Sequence, residues 1–170
     1  MSGQGSAQTV IDSLEFARTG QTLRGSLPLP DLARLKESLA DALGTVEFEV
    51  RGGEDARRRP VLTVAIHGTL RLQCQRCLNA LDHPLRVLNT LVLVTGSGAG
   101  AGELDDDDGE WIEASRELDL ATLVEDEILL SLPYAPRHEE GTCRPLRTAA
   151  ADSATAAAFA GLAALKRNQH

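Results

Sequence analysis

The chain has 170 residues, of which 42% are hydrophobic, 25% charged and 3% aromatic, and its formal net charge is −8. This length fits one domain with tails and excludes a barrel enzyme of about 250 residues, and no apolar run approaches the roughly 18 residues that cross a bilayer. An acidic total is unusual for a protein that grips nucleic acid over its whole surface, and three cysteines without a secretory signal favour a reducing cytoplasm.

The N-terminal part predicts a hairpin followed by a helix. Residues 10–29 contain two short alternating stretches, around 14–16 and 23–27, which indicate paired strands that end at Pro28 and Pro30. Asp31 then stands at a helix N-cap position, and apolar residues recur at helical spacing as far as Gly44. That apolar stripe consists of Leu32, Leu35, Leu39, Ala42 and Leu43.

The middle of the chain predicts strands. Residues 45–51 alternate strictly between apolar and charged side chains, which is typical of a half-buried strand. A polar turn ends at Pro60, and a second alternating strand runs from Leu62 to Cys74. Pro84 marks a further turn before a long apolar strand over 85–94. We therefore predict an antiparallel sheet built from consecutive hairpins.

Residues 95–108 read TGSGAGAGELDDDD. A phosphate-binding loop must open a helix whose N–H groups face the anion, whereas these glycines lead into four aspartates that would repel phosphate. This segment therefore predicts a flexible surface loop. One more short strand is predicted over 110–113.

A second main helix is predicted over 120–132, with Asp119 as its N-cap. A helical wheel places one apolar stripe on it, made of Leu120, Leu123, Val124, Ile128 and Leu130. Glu127 falls within this apolar face, whereas Glu125 and Asp126 lie outside it. Glu127 therefore predicts either a fixed partner for an arginine or for the cysteine site, or a carboxylate that reaches solvent.

Pro133 and Pro136 end this helix, and the chain beyond 146 is rich in alanine. The predicted fold class is α+β, with two main helices on the antiparallel sheet in a single domain over 1–146. Residues 147–170 predict a flexible linker, with a short C-terminal helix around Phe159, Leu162 and Leu165.

The cysteines form the most informative constellation. Cys74 and Cys77 make a C-x2-C motif at the end of a predicted strand, and His138 and Cys143 could complete a tetrahedral zinc set. Such a site would tie the end of the second helix to the tip of a hairpin. Inert buried thiols, a site that has lost its metal and a thiol redox pair stay open as alternatives. No nucleophile has a partnered base, so we predict a protein that is not an enzyme.

Charge is unevenly distributed along the chain. Residues 51–86 carry seven arginines against three acids, whereas residues 101–130 carry twelve acids and one base. The asymmetry indicates either an RNA-facing basic surface beside an acidic segment, or ordinary solvation of strands and a loop. The arginines predicted to contact RNA phosphates are Arg57, Arg58, Arg59, Arg71 and Arg76.

Four motifs occur in a fixed order: LQCQRCL at 72–78, VEDEILLSLPYAPRH at 124–138, Cys143, and FAGLAALK at 159–166. This order resembles the YceD family of large ribosomal RNA subunit accumulation proteins, from about residue 70 onward. The family usually reads Asn-Pro-Phe-Ala where this chain has Ala157-Ala158-Phe159-Ala160, which puts the capping of the last helix in doubt. The residues that match the family are Cys74, Arg76, Cys77, Asp126, Glu127, Pro133, Pro136, His138 and Cys143.

The resemblance implies a cytoplasmic, non-enzymatic ribosome biogenesis factor that supports synthesis, processing or stability of 23S ribosomal RNA. Its implied partner is large-subunit ribosomal RNA or a pre-ribosomal particle. Because the chain is acidic, a ribosomal or assembly protein whose basic surface meets residues 103–127 is a further candidate. The alternatives are an adaptor that binds only protein, through the acidic loop and the C-terminal segment, and a C-x2-C thiol redox module.

Overall fold

The computed structural model of the protein describes residues 10–96 and 109–143. The main element of the described chain is one six-stranded sheet, which carries helices and turns on its inner face. In chain order the elements are β1 (Val10–Ile11), α1 (Ser13–Arg18), β2 (Thr22–Pro28), a 3-10 turn at Leu29–Asp31, a second 3-10 turn at Leu35–Ser38, β3 (Leu39–Asp41), β4 (Thr45–Glu54), β5 (Pro60–Gln73), β6 (Ala80–Val94), β7 (Trp111–Glu113), β8 (Leu118–Asp119) and α2 (Leu120–Ser131).

Strands β4, β5 and β6 form the antiparallel centre that the alternating sequence predicts. β5 pairs with β6 along nearly its whole length, and it pairs with β4 over its first half. Beyond Glu47, near the start of β4, β3 takes its place beside β5, with Leu39 opposite Leu72. Side chains such as Val50 and Val64 are fully buried on the inner face, whereas the opposite face is largely polar, which explains the two-residue period.

The first half of the predicted N-terminal hairpin is wrong. Leu14 and Phe16 lie in α1, where the carboxylate of Asp12 accepts a hydrogen bond from the N–H of Glu15 at 3.0 Å and caps the helix. A stretch of three alternating residues fits a short helix as well as a strand. The second half is a strand as predicted, because β2 pairs antiparallel with β4.

The predicted first main helix is also wrong. The two 3-10 turns and β3 occupy this part of the chain, and Leu39, which was assigned to the helix, lies in a strand. Leu32 and Leu35 are buried as the apolar spacing requires, but they reach the core from turns. Backbone N–H groups at the start of the second turn donate to Glu125, so tertiary contacts override the local helical pattern.

The predicted fold class needs correction as well. The described chain is mainly β, and its sheet is mixed, because β6 and β7 run parallel with Val92 beside Trp111. The sheet order is β2-β4-β5-β6-β7, so β2 pairs with β4 while β3 joins β5. A parallel pair cannot be closed by a tight hairpin, so the sheet is not a series of consecutive antiparallel hairpins.

Pro84 does not end a strand as predicted. It lies inside β6, opposite Thr69, and the chain reverses earlier, between Gln73 and Ala80. Proline has no N–H to donate, so it is tolerated in a strand where one edge is unpaired. Among the described strands, β6 pairs on its second edge only from Val92 to Val94, well away from Pro84.

Helix α2 forms where it is predicted. The carboxylate of Asp119 accepts hydrogen bonds from the N–H of Ala121 at 3.1 Å and from the hydroxyl of Thr122 at 2.9 Å. Leu130 departs from the predicted apolar face, since it is 76% exposed. The largest fully buried side chains of the core are Leu29, Leu35, Leu62, Ile66, Leu70, Leu72, Leu85, Leu91, Leu120 and Ile128.

Several predictions fall outside the described residues. These are most of the glycine-rich loop, from residue 97 to 108, and the alanine-rich linker with its C-terminal helix at 147–170. Within residues 10–96 and 109–143, no helix is long and apolar enough to cross a membrane.

Candidate metal centre

The turn between β5 and β6 carries Cys74 and Cys77. The N–H of Cys74 donates to the carbonyl of Asn79, and the N–H of Leu78 donates to the carbonyl of Cys74, each at 2.9 Å. Leu78 adopts a φ of 59°, a left-handed conformation that is rare for a branched residue and that completes the reversal. Both thiols are fully buried by this turn.

The chain after α2 brings the other two candidate ligands to the same turn. The carbonyl of Pro136 accepts a hydrogen bond from the N–H of Gln75 at 2.9 Å, which holds this segment against the cysteine turn. Nε2 of His138 lies 3.1 Å from the carbonyl of Ala80. A carbonyl only accepts, so Nε2 carries the proton and the lone pair of Nδ1 is left to bind a ligand.

One ligand atom from each of Cys74, Cys77, His138 and Cys143 lies within 4.8 Å of all the others. The sulfur atoms of Cys74 and Cys143 are 3.7 Å apart, and the sulfur of Cys77 is 3.5 Å from Nδ1 of His138. A tetrahedral ion with metal–sulfur bonds of 2.3 Å and metal–nitrogen bonds near 2.0 Å has edges of about 3.8 Å and about 3.6 Å. The cluster could therefore hold a metal ion.

The surroundings of the cluster lower the pKa of two of its three thiols, Cys74 and Cys143. The guanidinium of Arg76 beside Cys143 lowers the pKa of that thiol. Burial raises the pKa of Cys74, but the N–H groups of His138, Arg76 and Cys77 outweigh it and lower the pKa to about 5. Hydrogen bonds to Cys74 and Cys143 raise the pKa of His138. Burial raises the pKa of the Cys77 thiol, so a bound cation would be needed to ionise all three thiols.

The arrangement is typical of a structural site. Four protein ligands complete a tetrahedron and leave no position for water or substrate. All three cysteines are free thiols. The C-x2-C motif ends a strand instead of opening a helix, which separates it from the usual setting of redox pairs.

The residues of this cluster lie within a part of the chain that matches a known protein family. The family model described as large ribosomal RNA subunit accumulation protein YceD matches residues 62–166, more than half of the chain. The chain belongs to the YceD family. The resemblance drawn from the four motifs is confirmed, and the family description implies a role in accumulation of large ribosomal subunit RNA. No solved structure matches the chain.

The five arginines predicted to contact RNA do not form one patch. Arg57, Arg58 and Arg59 lie in the turn between β4 and β5, whereas Arg71 lies near the far end of β5 and Arg76 stands in the cysteine turn. β5 has 14 residues, so its two ends are about 45 Å apart along the strand. The structure thus gathers only Arg71 and Arg76 near the metal centre.

Two of these arginines form ion pairs with neighbouring carboxylates. Nε of Arg59 is 2.7 Å from a carboxylate oxygen of Asp55. Arg71 lies 2.5 Å from Asp41 and 3.6 Å from Asp82. RNA phosphate would have to compete with these carboxylates, so a role of either arginine in RNA binding stays a prediction.

The acidic motif that this YceD protein carries on α2 consists of Glu125, Asp126 and Glu127. Glu127 is buried and accepts a hydrogen bond from Nδ2 of Asn89 at 2.9 Å, so its partner is neither an arginine nor the cysteine site. Asp126 is partly exposed and pairs with Nη1 of Arg34 at 2.6 Å. Glu125, predicted to lie outside the apolar face, is buried.

Glu125 has the larger structural role and was missed. One oxygen accepts the N–H groups of Arg34 at 2.7 Å and Leu35 at 3.0 Å, and the other accepts Nε of Arg34 at 2.9 Å. Burial raises the pKa of this carboxyl, but the N–H of Leu35 and the contacts with Arg34 outweigh it and lower the pKa. No sequence signal pointed to this role, because the 3-10 turn at Leu35–Ser38, which has no capping side chain of its own, is seen only in the structure.

Proposed function

We propose that this protein is a cytoplasmic ribosome biogenesis factor that supports synthesis, processing or stability of 23S ribosomal RNA. It acts by binding a large-subunit precursor and not by catalysis. Membership of the YceD family carries this proposal. The closed cysteine–histidine cluster supports it, because a site without an open coordination position holds a fold together and does not turn over substrate.

We also infer that the ion held by Cys74, Cys77, His138 and Cys143 is zinc. Three thiolates and one imidazole are a donor set that zinc favours in structural sites. The sulfur–sulfur and sulfur–nitrogen distances of the cluster, 3.7 Å and 3.5 Å, agree with those between the ligand atoms of a tetrahedral zinc ion. Zinc would join the turn between β5 and β6 to the chain that follows α2.

Phosphate contact is proposed at the turn between β4 and β5. Arg57 and Arg58 are exposed at this turn, at the end of the sheet opposite the metal centre. Arginine at an exposed turn can present its planar donors to a phosphate without burying charge. Arg59 beside them, and Arg71 and Arg76 at the other end of the sheet, are proposed as further contacts.

The decisive test of the biological role is genetic. A strain without the gene is expected to accumulate less 23S than 16S ribosomal RNA, and the wild-type chain should restore the ratio. An unchanged ratio in the deletion strain would overturn the proposed function.

Direct RNA binding is tested with labelled 23S RNA fragments at several salt concentrations. Replacing Arg57 and Arg58 together with Ala should weaken binding. The slope of log K against log salt should fall by about 1 to 2, because binding then releases fewer counterions from the RNA phosphates. The matched control replaces Arg24 and Arg51, which pair with Glu49 on the outer face of the sheet. An equal effect of the two double variants would discard the turn as the contact.

An adaptor that contacts only protein is the second candidate, and the net charge of −8 favours it. Acidic surfaces repel RNA phosphate but attract basic proteins. Association with the large-subunit precursor that survives nuclease digestion would support this candidate, whereas release on digestion would support direct RNA contact.

A further inference from the structure

An open groove runs between β7 and α2. Its volume is about 630 Å³. Leu91 and Leu123 form its buried floor, and Trp111 and Leu130 stand on its rims with 46% and 76% of their surfaces exposed. Large side chains on both rims of an apolar groove are typical of a surface that another chain covers.

The polar residues of the groove are all acidic. Glu110, Asp126 and Glu127 line it, and no lysine, arginine or histidine is among the described lining residues. The described lining therefore combines apolar contact area with three carboxylates, of which Asp126 pairs with Arg34 and Glu127 accepts a hydrogen bond from Asn89.

We propose that this groove binds a basic segment of a partner protein that carries apolar side chains on one face of a helix. Such a helix would lie along α2, place its apolar side chains between Trp111 and Leu130, and present lysine or arginine to the acidic rim. Charge complementarity favours this occupant, since every ionisable residue of the described lining is a carboxylate and only Asp126 among them has an ion-pair partner, Arg34, within the described chain.

The inference rests on the proposed function for the origin of the partner. Proteins that assemble with ribosomal RNA carry basic segments because they neutralise phosphate. The chain's own C-terminal segment is a poorer match, because Lys166 and Arg167 are its only lysine and arginine beyond residue 147. Both follow its apolar residues Phe159, Leu162 and Leu165, so no cation lies within that apolar stretch.

The test uses the full chain and a synthetic helical peptide of about 14 residues. The peptide has leucines on one face and lysines elsewhere, and a scrambled peptide of the same composition is its control. Trp111 is the only tryptophan of the chain, so its fluorescence reports on the groove. We expect a shift of its emission to shorter wavelength with the amphipathic peptide and a much weaker response to the scrambled one.

A matched pair of variants separates the groove from general surface charge. Leu130→Ser should weaken peptide binding by at least about tenfold, because one leucine loses its burial in the complex. Leu88→Ser is the control, since Leu88 is 78% exposed on β6 and does not line the groove. Equal effects of the two variants, or equal binding of the scrambled peptide, would overturn the proposal.

Two other occupants would also overturn it. Association of the chain with itself that Leu130→Ser abolishes would assign the groove to a second copy. A shift of Trp111 emission in the peptide-free double variant Leu162→Ser and Leu165→Ser would assign it to the C-terminal segment. These measurements contain no RNA, so they can fail while the 23S ratio of the deletion strain still supports the proposed function.

Discussion

The carboxylate of Glu125 caps a 3-10 turn that lies 90 residues away in the sequence. It accepts two backbone N–H groups that have no partner within the turn, and it binds the side chain of Arg34 with its second oxygen. Glu125 replaces the local N-cap residue that this turn lacks. One buried side chain thus joins α2 to the chain that precedes β3.

Glu125→Gln should lower the free energy of unfolding by about 1 to 3 kcal/mol near neutral pH, because hydrogen bonds to a charged acceptor are lost and one amide N–H₂ faces Arg34. The pKa of Glu125 in the folded protein lies below its ordinary value of 4.5. Its contribution is therefore present above about pH 4.5 and is lost as the pH falls through the folded-state pKa. Urea unfolding of both proteins between pH 3 and pH 7 measures this difference.

Asp126→Asn provides the control for Glu125→Gln. Asp126 pairs with the same arginine but its side chain is 46% exposed, so the loss of its charge should cost far less stability. Equal losses in the two variants, or a stability difference for Glu125→Gln that does not decrease as the pH falls, would contradict the capping role.

Single residues differed in how well the sequence predicted them. The four candidate metal ligands could be selected by residue type and spacing. Cysteine and histidine are the usual ligands of structural zinc, and the chain has only three cysteines and four histidines. The burial of Glu127 followed from helical periodicity. Its partner Asn89 did not, because it lies on β6 and sequence periodicity carries no information about neighbours on another element.

The packing of α1 on β4 depends on Gly52. A Cβ atom at this position would lie 2.3 Å from the carbonyl oxygen of Phe16 and 2.7 Å from Cα of Ala17. Both are main-chain atoms, so no side-chain rotation could relieve the contact. The close approach of helix and strand therefore requires glycine here.

Gly52→Ala should destabilise the protein by at least about 2 kcal/mol, because α1 must move away from β4. Gly53→Ala is the control, since nothing lies within 4 Å of a Cβ at that position. Thermal unfolding of the two variants decides the matter. A Gly52→Ala protein as stable as Gly53→Ala would show that α1 does not pack on β4 as described.

Strands were more predictable than helices. β4 and β5 alternate over many residues, and a sheet with one polar face imposes that alternation directly. The apolar spacing at 32–43 was equally regular, yet its residues form turns and β3, because β5 offers an open edge there and Glu125 caps the turn. Local periodicity carries no information about such long-range contacts, which compete with helix formation.

At the scale of the whole molecule, the cysteine–histidine cluster brings together two distant parts of the chain, which zinc would brace. Cys77→Ser should abolish binding of one equivalent of zinc and lower the free energy of unfolding by several kcal/mol, because a structural metal contributes its binding energy to folding. Metal content by mass spectrometry, on protein purified without chelator, checks the first expectation, and urea unfolding checks the second.

Gln75→Ala is the control for Cys77→Ser. Gln75 lies in the same turn but supplies no ligand, and its backbone bond to Pro136 survives the substitution. This variant should keep its zinc. A wild-type chain that contains no metal, with all three thiols open to titration, would contradict the proposed brace and return the thiol redox alternative.

The arrangement of the sheet was the least predictable feature. Each strand has a recognisable pattern, but the parallel pairing of β6 with β7 depends on where the chain returns after residue 96. The placement of β3 beside β5 likewise depends on where β4 begins to pair with β5. These are long-range choices that strand patterns alone leave open.

The distance along the chain between the two halves of the metal cluster has a kinetic consequence. Cys77 and His138 are separated by 61 positions, whereas β4, β5 and β6 join neighbouring segments. Contacts between neighbouring segments close short loops and form early, so the hairpins can assemble before the last two ligands arrive. A folding chain would then hold an ion by two thiolates only, and tight capture would wait until the segment after α2 has docked. Metal retention would therefore mark the chains that have finished folding.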